Sequence, residues 1–187
     1  MQKSEAREFF KNKRNNLTPS DCLKLDDLLL IQFQKFSWAN MECLGNFYPI
    51  DKHNEPNTIL LAKYLKYAIP NITIAYPRMV QDGLNIEFFE ESEEFTEHKW
   101  GIIEPLPIKK IDIIQMDAIL VPMLGFDIFG QRIGFGKGYY DRYFENNTNA
   151  CLRIGISYFE PIPKIEDTHQ FDVPLTHCIT PSTIYEF

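Results

Sequence analysis

The sequence has few glycines, few cysteines, no long apolar run and no excess of positive charge. Among 187 residues there are nine glycines and four cysteines, and the formal net charge is -7 at pH 7. An acidic chain repels nucleic acid unless a local basic patch overrides the repulsion, so we expect no nucleic-acid partner. Because no apolar run approaches the roughly 18 residues of a membrane span, we also expect no membrane association.

The cysteines and histidines indicate the compartment and argue against a zinc site. The four cysteines lie far apart, at positions 22, 43, 151 and 178, with no Cys-x-x-Cys pair and no secretory signal at the N-terminus. We therefore expect unpaired thiols and a cytoplasmic protein. None of the histidines has ligand spacing to another histidine or to a cysteine. A hydrophobic content of 44% without a break in composition favours one domain over residues 1–187.

Hydrophobic periodicity predicts that helices and strands alternate along the chain. The predicted helices are 3–14, 18–36, 57–67 and 139–145, and the predicted strands are 43–48, 72–76, 85–89, a part of 113–121, and 153–158. Thr18 and Pro19 match an N-cap followed by proline in the first helical position. The strand–helix–strand order over 43–76 is typical of an α/β protein.

Glycine is concentrated in one segment, which also carries cationic and aromatic residues. Five of the nine glycines lie between positions 125 and 138. Gly134, Gly136 and Gly138 alternate with other residues, which lets the backbone turn tightly and present its N–H groups to an anion. Arg132 and Lys137 add positive charge to the same segment. The pattern predicts a phosphate-binding loop, with an ordinary glycine-rich turn as the alternative.

This loop matches neither of two widespread nucleotide-binding motifs. A Walker A loop needs Ser or Thr after its lysine, where this chain has Gly138 after Lys137. The dinucleotide fingerprint needs its third glycine three residues after the second and belongs in the first strand–helix turn. The segment leaves one predicted strand and enters a predicted helix, so we expect its site at the carboxyl ends of the strands.

Residues on both sides of the loop have a functional and a structural interpretation. Asp141 could bind Mg²⁺ or could stabilise the first turn of a helix. Tyr139 and Tyr140 could stack on a planar ligand or could cover the core.

Two further candidates come from the N-terminal part of the chain. Lys3 and Arg7 share one helix face, which could contact an anion or could be a solvated surface. Glu55, in the connection after the first predicted strand, could point into the strand-end crevice or could lie on the surface.

Taken with its flanks, the glycine segment resembles the signature of the 5-formyltetrahydrofolate cyclo-ligases, also called methenyltetrahydrofolate synthetases. That signature is Pro-Gly-x-x-Phe-Asp-x-x-Gly-x-Arg-Leu-Gly-x-Gly-x-Gly-Tyr-Tyr-Asp. The matching residues here are Pro122, Phe126, Asp127, Gly130, Arg132, Gly134, Gly136, Gly138, Tyr139, Tyr140 and Asp141. The family's N-terminal Lys-x-x-x-Arg, its Glu-x-x-Thr and its strand-end Pro-Arg are matched by Lys3 and Arg7, by Glu55 and Thr58, and by Pro77 and Arg78.

The resemblance implies a three-layer α/β/α fold, Rossmann-like, with a largely parallel, mixed central sheet. It also implies ATP- and Mg²⁺-dependent cyclisation of 5-formyltetrahydrofolate by a monomer, with polyglutamylated folate as a further form of the substrate. ATP would be bound by Lys3, Arg7, Arg132, Ile133, Gly134, Phe135, Gly136, Lys137, Gly138, Tyr139 and Tyr140, and the folate by Tyr48, Glu55, Phe135 and Tyr139. Lys137, Arg132 and Glu55 would be catalytic, and Asp141 would bind Mg²⁺.

Two rival functions remain open at this stage. A folate- or nucleotide-binding module could keep the pocket without turnover and sequester its ligand. A phosphosugar isomerase or an acyltransferase-like enzyme could share the architecture, but it would need neither ATP nor the N-terminal basic pair.

Overall fold

The computed structural model describes residues 1–80, 83–92, 94–97, 103–106, 109–145 and 151–187. The helices are α1 (Lys3–Asn15), α2 (Pro19–Lys35), α3 (Thr58–Ala68) and α4 (Tyr139–Glu145). The strands are β1 (Cys43–Gly45), β2 (Thr73–Met79), β3 (Ile86–Glu90), β4 (Phe95–Glu97), β5 (Ile103–Pro105), β6 (Lys110–Ile111), β7 (Ala118–Val121), β8 (Gly125–Phe126), β9 (Arg132–Ile133), β10 (Leu152–Ile156), β11 (His177–Ile179) and β12 (Ile184–Glu186).

Eight of these strands form one mixed sheet in the order β12-β11-β10-β7-β1-β2-β3-β6. Its five central strands, β11 to β2, are parallel, whereas β12, β3 and β6 are antiparallel to their neighbours. β8 and β9 form a separate antiparallel hairpin, as do β4 and β5. The predicted strand–helix–strand unit is confirmed, because β1 and β2, which precede and follow α3 in the chain, pair in parallel.

Helices cover both faces of the sheet, so the fold has the three layers expected from the sequence. Successive residues of a strand point to opposite faces. In β7, Ala118 and Leu120 pack in the core with α1, α2 and α3, whereas Ile119 and Val121 pack in a second core that contains Phe144 of α4. Among the described residues, no helix combines the length and the apolar character that crossing a bilayer requires.

The helix boundaries follow the sequence signals closely. The Thr18 hydroxyl accepts a hydrogen bond from the Asp21 N–H at 3.2 Å, and Pro19 occupies the first helical position, as predicted. The Asn57 side chain caps α3 in the same way through the Leu60 N–H, at 3.1 Å. Satisfying these N–H groups fixes where each helix begins.

The strand predictions were less accurate at their ends. The strand predicted over 43–48 stops at Gly45, although the Asn46 N–H still donates to the Ala75 carbonyl of β2 at 2.7 Å, and the Asn46 side chain donates to the Thr58 carbonyl at 3.2 Å. The strand predicted over 153–158 covers Leu152–Ile156. Seven short strands of two or three residues each were not predicted: β4, β5, β6, β8, β9, β11 and β12.

Helix α1 docks on the β8–β9 hairpin through a close approach of side chain to backbone. The ring of Phe10, fully buried, lies directly over Gly125 in β8. A methyl group on Gly125 would overlap that ring. Glycine is therefore required here by space and not by backbone conformation.

We expect Gly125→Ala to lower the free energy of unfolding by about 1–3 kcal/mol, since the added methyl forces Phe10 or α1 to move. Gly134→Ala is the matched control, because a Cβ at Gly134 meets no atom within 4 Å. Urea denaturation of the two variants and the wild type makes the comparison. Equal stability of the two variants would contradict the proposed role of this contact.

Candidate functional site

A cavity of about 490 Å³ opens at the carboxyl ends of the central strands. Phe47 and Tyr48, just after β1, Pro77 in β2 and Pro122, just after β7, all line it. Within the sheet, the chain continues from β1 to β2 on one side, whereas from β7 it continues to β10 on the other side. Connections that diverge in this way leave a crevice, where open α/β sheets bind ligands.

The glycine loop forms one wall of the cavity. Gly136 and Gly138 have φ angles of +94° and +68°, a region that side chains other than glycine adopt with strain. Gly134 is under neither constraint, because its φ is not positive and a Cβ there would meet no atom within 4 Å. The three glycines thus leave room and exposed backbone where a bulky anion could lie.

A buried carboxylate anchors the turn that precedes this loop. Asp127 is fully buried, and its Oδ1 accepts hydrogen bonds from the N–H groups of Phe129 and Gln131, each at 2.9 Å. Its Oδ2 accepts a third from Ile165, also at 2.9 Å. The motif residue Asp127 therefore shapes the loop and does not line the cavity.

Helix α1 brings cations to the loop from the opposite wall. The Arg7 Nε donates to the Gly134 carbonyl at 3.2 Å, and both Lys3 and Arg7 line the cavity. The Lys3 side chain is only 14% exposed. Lys3 and Arg7 are therefore both partly buried at the cavity and do not form a fully solvated face.

Two ion pairs join the cations of the cavity to carboxylates. Lys3 Nζ lies 2.5 Å from Asp172 Oδ2, and Arg132 Nη2 lies 2.5 Å from Asp141 Oδ1. Burial opposes ionisation of Asp172, but the hydrogen bonds from the His169 N–H and from Lys3 outweigh it and lower the pKa of Asp172. Asp172 is therefore ionised at neutral pH.

Glu55 lies at the base of the cavity, not on the surface. It is 8% exposed, and its Oε2 accepts a hydrogen bond from the Ile50 N–H at 2.9 Å. The hydroxyl of Thr58, three residues later, donates to the Phe47 carbonyl at 2.5 Å and fixes the loop against α3. Burial raises the pKa of Glu55 above its usual value.

Aromatic side chains form the remaining wall. Tyr48 stacks on Tyr76 with ring centroids 4.1 Å apart, and the ring centroids of Phe135 and His53 are 5.3 Å apart. The Tyr139 hydroxyl donates to the Gly83 carbonyl at 3.2 Å. The planes of these rings offer a surface on which a flat aromatic ligand can stack.

Tyr140 presents a buried hydroxyl at the cavity. Its ring contacts Phe88 and Phe144 in the core beneath α4. The hydroxyl has no hydrogen-bond partner within the described part of the chain, and burial raises the pKa of Tyr140 far above its usual value. Tyr140 thus lines the cavity and covers the core at the same time.

The structure brings together all but one of the residues that the sequence suggested. Those lining the cavity are Lys3, Arg7, Tyr48, Glu55, Arg132, Gly134, Phe135, Gly136, Lys137, Gly138, Tyr139, Tyr140 and Asp141. The exception is Ile133, whose side chain is 1% exposed in the core beneath α1. Alternation along β9 explains this, because Arg132 and Ile133 must point to opposite sides.

Sequence reasoning missed several residues of the cavity. They are Phe47, Ile50, Lys52, His53, Pro77, Pro122 and Asp172. Lys52 and His53 share the connection with Glu55, so that proximity was the available signal. Asp172 had no such proximity to a predicted site residue, because it lies 169 residues from its partner Lys3.

The donor set of the cavity fits Mg²⁺ together with a phosphate ligand. Mg²⁺ in phosphate-binding sites uses one or two carboxylates and completes its shell with water and phosphate oxygens. Asp141 and Asp172 supply two carboxylates on one cavity, next to Lys3 and Arg132. No cluster of three or more metal-binding side chains occurs in the described ranges, so a metal cage made of protein alone is not indicated there.

Comparison with known proteins agrees with this geometry. Residues 1–181 match the model of the 5-formyltetrahydrofolate cyclo-ligase family. A 5-formyltetrahydrofolate cyclo-ligase of Mycoplasma genitalium is 31% identical over 180 residues, which cover 94% of this chain and 97% of that protein. The Escherichia coli cyclo-ligase is 28% identical over 123 residues, covering 62% of this chain and 65% of that protein.

Two solved structures share the fold. The 5,10-methenyltetrahydrofolate synthetase of Aquifex aeolicus superimposes with a TM-score of 0.82 at 25% identity, covering 100% of this chain and 93% of that one. The 5,10-methenyltetrahydrofolate synthetase of Mycoplasma pneumoniae gives 0.75 at 27% identity, with 96% and 98% covered. The motif, the fold and the whole-chain match agree, and the chain belongs to the 5-formyltetrahydrofolate cyclo-ligase family.

Proposed function

We propose that this protein closes 5-formyltetrahydrofolate to 5,10-methenyltetrahydrofolate, consuming ATP in the presence of Mg²⁺ and releasing ADP and phosphate. Family membership supports the overall reaction. The observation that carries the proposal further is that one cavity is lined both by glycines with cations and by aromatic side chains, with Glu55 also among its lining residues. The first suits a triphosphate, and the second suits the fused rings of a folate.

In the proposed reaction, the formyl oxygen of the folate attacks the γ-phosphorus of ATP and ADP leaves. The N10 nitrogen then attacks the formyl carbon and loses its proton. The C–O bond breaks, phosphate departs, and the N5=C–N10 bridge remains. Phosphorylation is needed because an amide-like oxygen is a poor leaving group.

The protein's part in this reaction is positioning and charge neutralisation. Lys3, Arg7, Arg132 and Lys137 would hold the phosphates together with the loop N–H groups, and the main chain of Ile133 would lie beside them. Tyr139, Phe135 and Tyr48 would contact the folate rings, and Tyr140 would border the nucleotide. Glu55 would accept a hydrogen bond from the pterin or orient the formyl group.

Asp141 would bind Mg²⁺, with Asp172 as a second carboxylate near the phosphates. The metal would neutralise charge on the transferred phosphoryl group. Because Arg132 is paired with Asp141 and Lys3 with Asp172, ligand binding would exchange these ion pairs for metal–carboxylate and cation–phosphate contacts.

The direct test mixes purified protein with 5-formyltetrahydrofolate and MgATP and follows the near-ultraviolet absorbance of the methenyl product. Absorbance should grow only in the complete mixture and not when ATP or Mg²⁺ is omitted. Binding of the folate without any growth would replace this proposal with a sequestering module.

Lys137→Glu should abolish turnover, because it places a negative charge against the phosphates. Lys137 is exposed, so the free energy of unfolding should change by less than about 0.5 kcal/mol. The control is Lys63→Glu, an exposed lysine of α3 outside the cavity. Turnover of Lys137→Glu close to that of the control would remove Lys137 from the site.

Asp141→Asn should raise the Mg²⁺ concentration for half-maximal turnover by about tenfold or more, since the neutral amide is a weaker ligand of a hard cation. The measurement is a Mg²⁺ titration of the initial rate at saturating folate. Asp117→Asn serves as control, since that carboxylate caps the Glu42 and Cys43 N–H groups outside the cavity. An unchanged Mg²⁺ requirement in Asp141→Asn would assign the metal to other ligands.

A further inference from the structure

Helix α1 carries a buried arginine that does not line the cavity but lies next to a residue that does. Arg14 is 2% exposed, and its Nη2 donates to the Met123 carbonyl beyond β7. Its Nη1 lies 3.8 Å from the Glu55 Oε1. The Arg14 carbonyl accepts a hydrogen bond from the Asn54 side chain at 2.8 Å, so the helix also holds the neighbouring backbone of Glu55.

The geometry of this pair differs from that of a structural salt bridge. A bidentate arginine–carboxylate pair makes two parallel hydrogen bonds. Here the Arg14 Nε and Nη1 make no hydrogen bond to any described residue, and the approach to Glu55 is electrostatic. Holding a guanidinium in this way is costly unless its charge faces an opposite charge.

Several titratable and charged groups surround Glu55. They are Arg14 from α1, Cys22 and Asp26 from α2, Lys52 and His53 from its own connection, Tyr140 from α4, and Tyr158 beyond β10. Asp26 accepts a hydrogen bond from the Tyr158 hydroxyl at 2.7 Å, so its charge is already partnered. Of this set, Arg14 makes the ion pair with the Glu55 carboxylate.

The charge of Arg14 bears on whether Glu55 is ionised. Burial raises the pKa of Glu55, whereas the Ile50 N–H and Arg14 oppose that rise. Arginine keeps its proton in proteins, so its opposing effect persists at every relevant pH. A protonated Glu55 would be a hydrogen-bond donor at one oxygen, and a ligand group that donates to the carboxylate would lose its acceptor.

We propose that Arg14 is a positioning residue for the reaction, which favours the ionised form of Glu55 and orients its carboxylate without touching the substrate itself. This rests on the proposed function, in which Glu55 contacts the folate. Helix α1 then serves both halves of the site, with Lys3 and Arg7 at the phosphates and Arg14 behind the folate.

The first test measures the ionisation of Glu55 directly. The carboxyl carbons of ¹³C-labelled glutamate are followed by NMR against pH, with Glu55→Gln assigning the signal. In Arg14→Met the titration midpoint of the Glu55 carboxyl group should rise by about one pH unit or more, because a neighbouring cation is lost. Arg14→Lys, which keeps the charge, should titrate close to wild type. Arg14→Gln is the neutral variant to use if Arg14→Met does not fold.

The second test measures ligand binding by calorimetry at pH 6 and pH 8 without turnover. The neutral variant should lose at least about tenfold in affinity for 5-formyltetrahydrofolate at pH 6 and less at pH 8, while ATP affinity changes less than about twofold. An unmoved Glu55 midpoint, or equal losses for both ligands at both pH values, would reduce Arg14 to a structural residue and overturn the proposal.

The two tests separate this proposal from the proposed function. A wild-type protein that binds no folate would refute the proposed function, yet the NMR midpoint would still decide whether Arg14 controls Glu55. A wild type that turns over normally, together with an unmoved midpoint, would refute Arg14 alone.

Discussion

The ring of Phe10 packs directly against the backbone of Gly125, and this contact fixes the position of helix α1 relative to the β8–β9 hairpin. The same helix places Arg7 against the Gly134 carbonyl one turn earlier and Arg14 against the Met123 carbonyl one turn later. Interiors pack densely and move little, so a shift at Phe10 would displace both cations together. The cationic wall of the cavity therefore depends on an apolar contact outside it.

Among the described residues, three ion pairs lie in or beside the site. Arg132 faces Asp141, Lys3 faces Asp172, and Arg14 faces Glu55. Since removing an ion from water is costly, each cation held ready for a ligand needs a temporary or permanent partner. The first two pairs lie on the cavity and can exchange partners, whereas in the third only Glu55 lines the cavity and Arg14 is buried behind it.

Sequence reasoning succeeded where the signal is local. The cap at Thr18, the α3–β2 unit and the alternating glycines each depend on residues a few positions apart, and all were placed correctly. It failed where the determining contact is distant in sequence. The two-residue strands β8 and β9 are stabilised by their neighbours and not by their own composition, and Asp172 joins the cavity only through the fold. Ile133, predicted to contact ATP, has its side chain in the core, because side chains alternate along a strand and Arg132 takes the cavity side.

The distances along the chain across which α1 makes its contacts bear on how the molecule forms. Its hydrogen bonds to Met123, Gly134 and Asp172 span 109, 127 and 169 residues. Closing such long loops costs entropy that only the finished sheet can offset. Helix α1 is synthesised before these partners, so Phe10 must stay uncovered until the chain has been made as far as Asp172. The strands can pair before then, but the pocket is completed last.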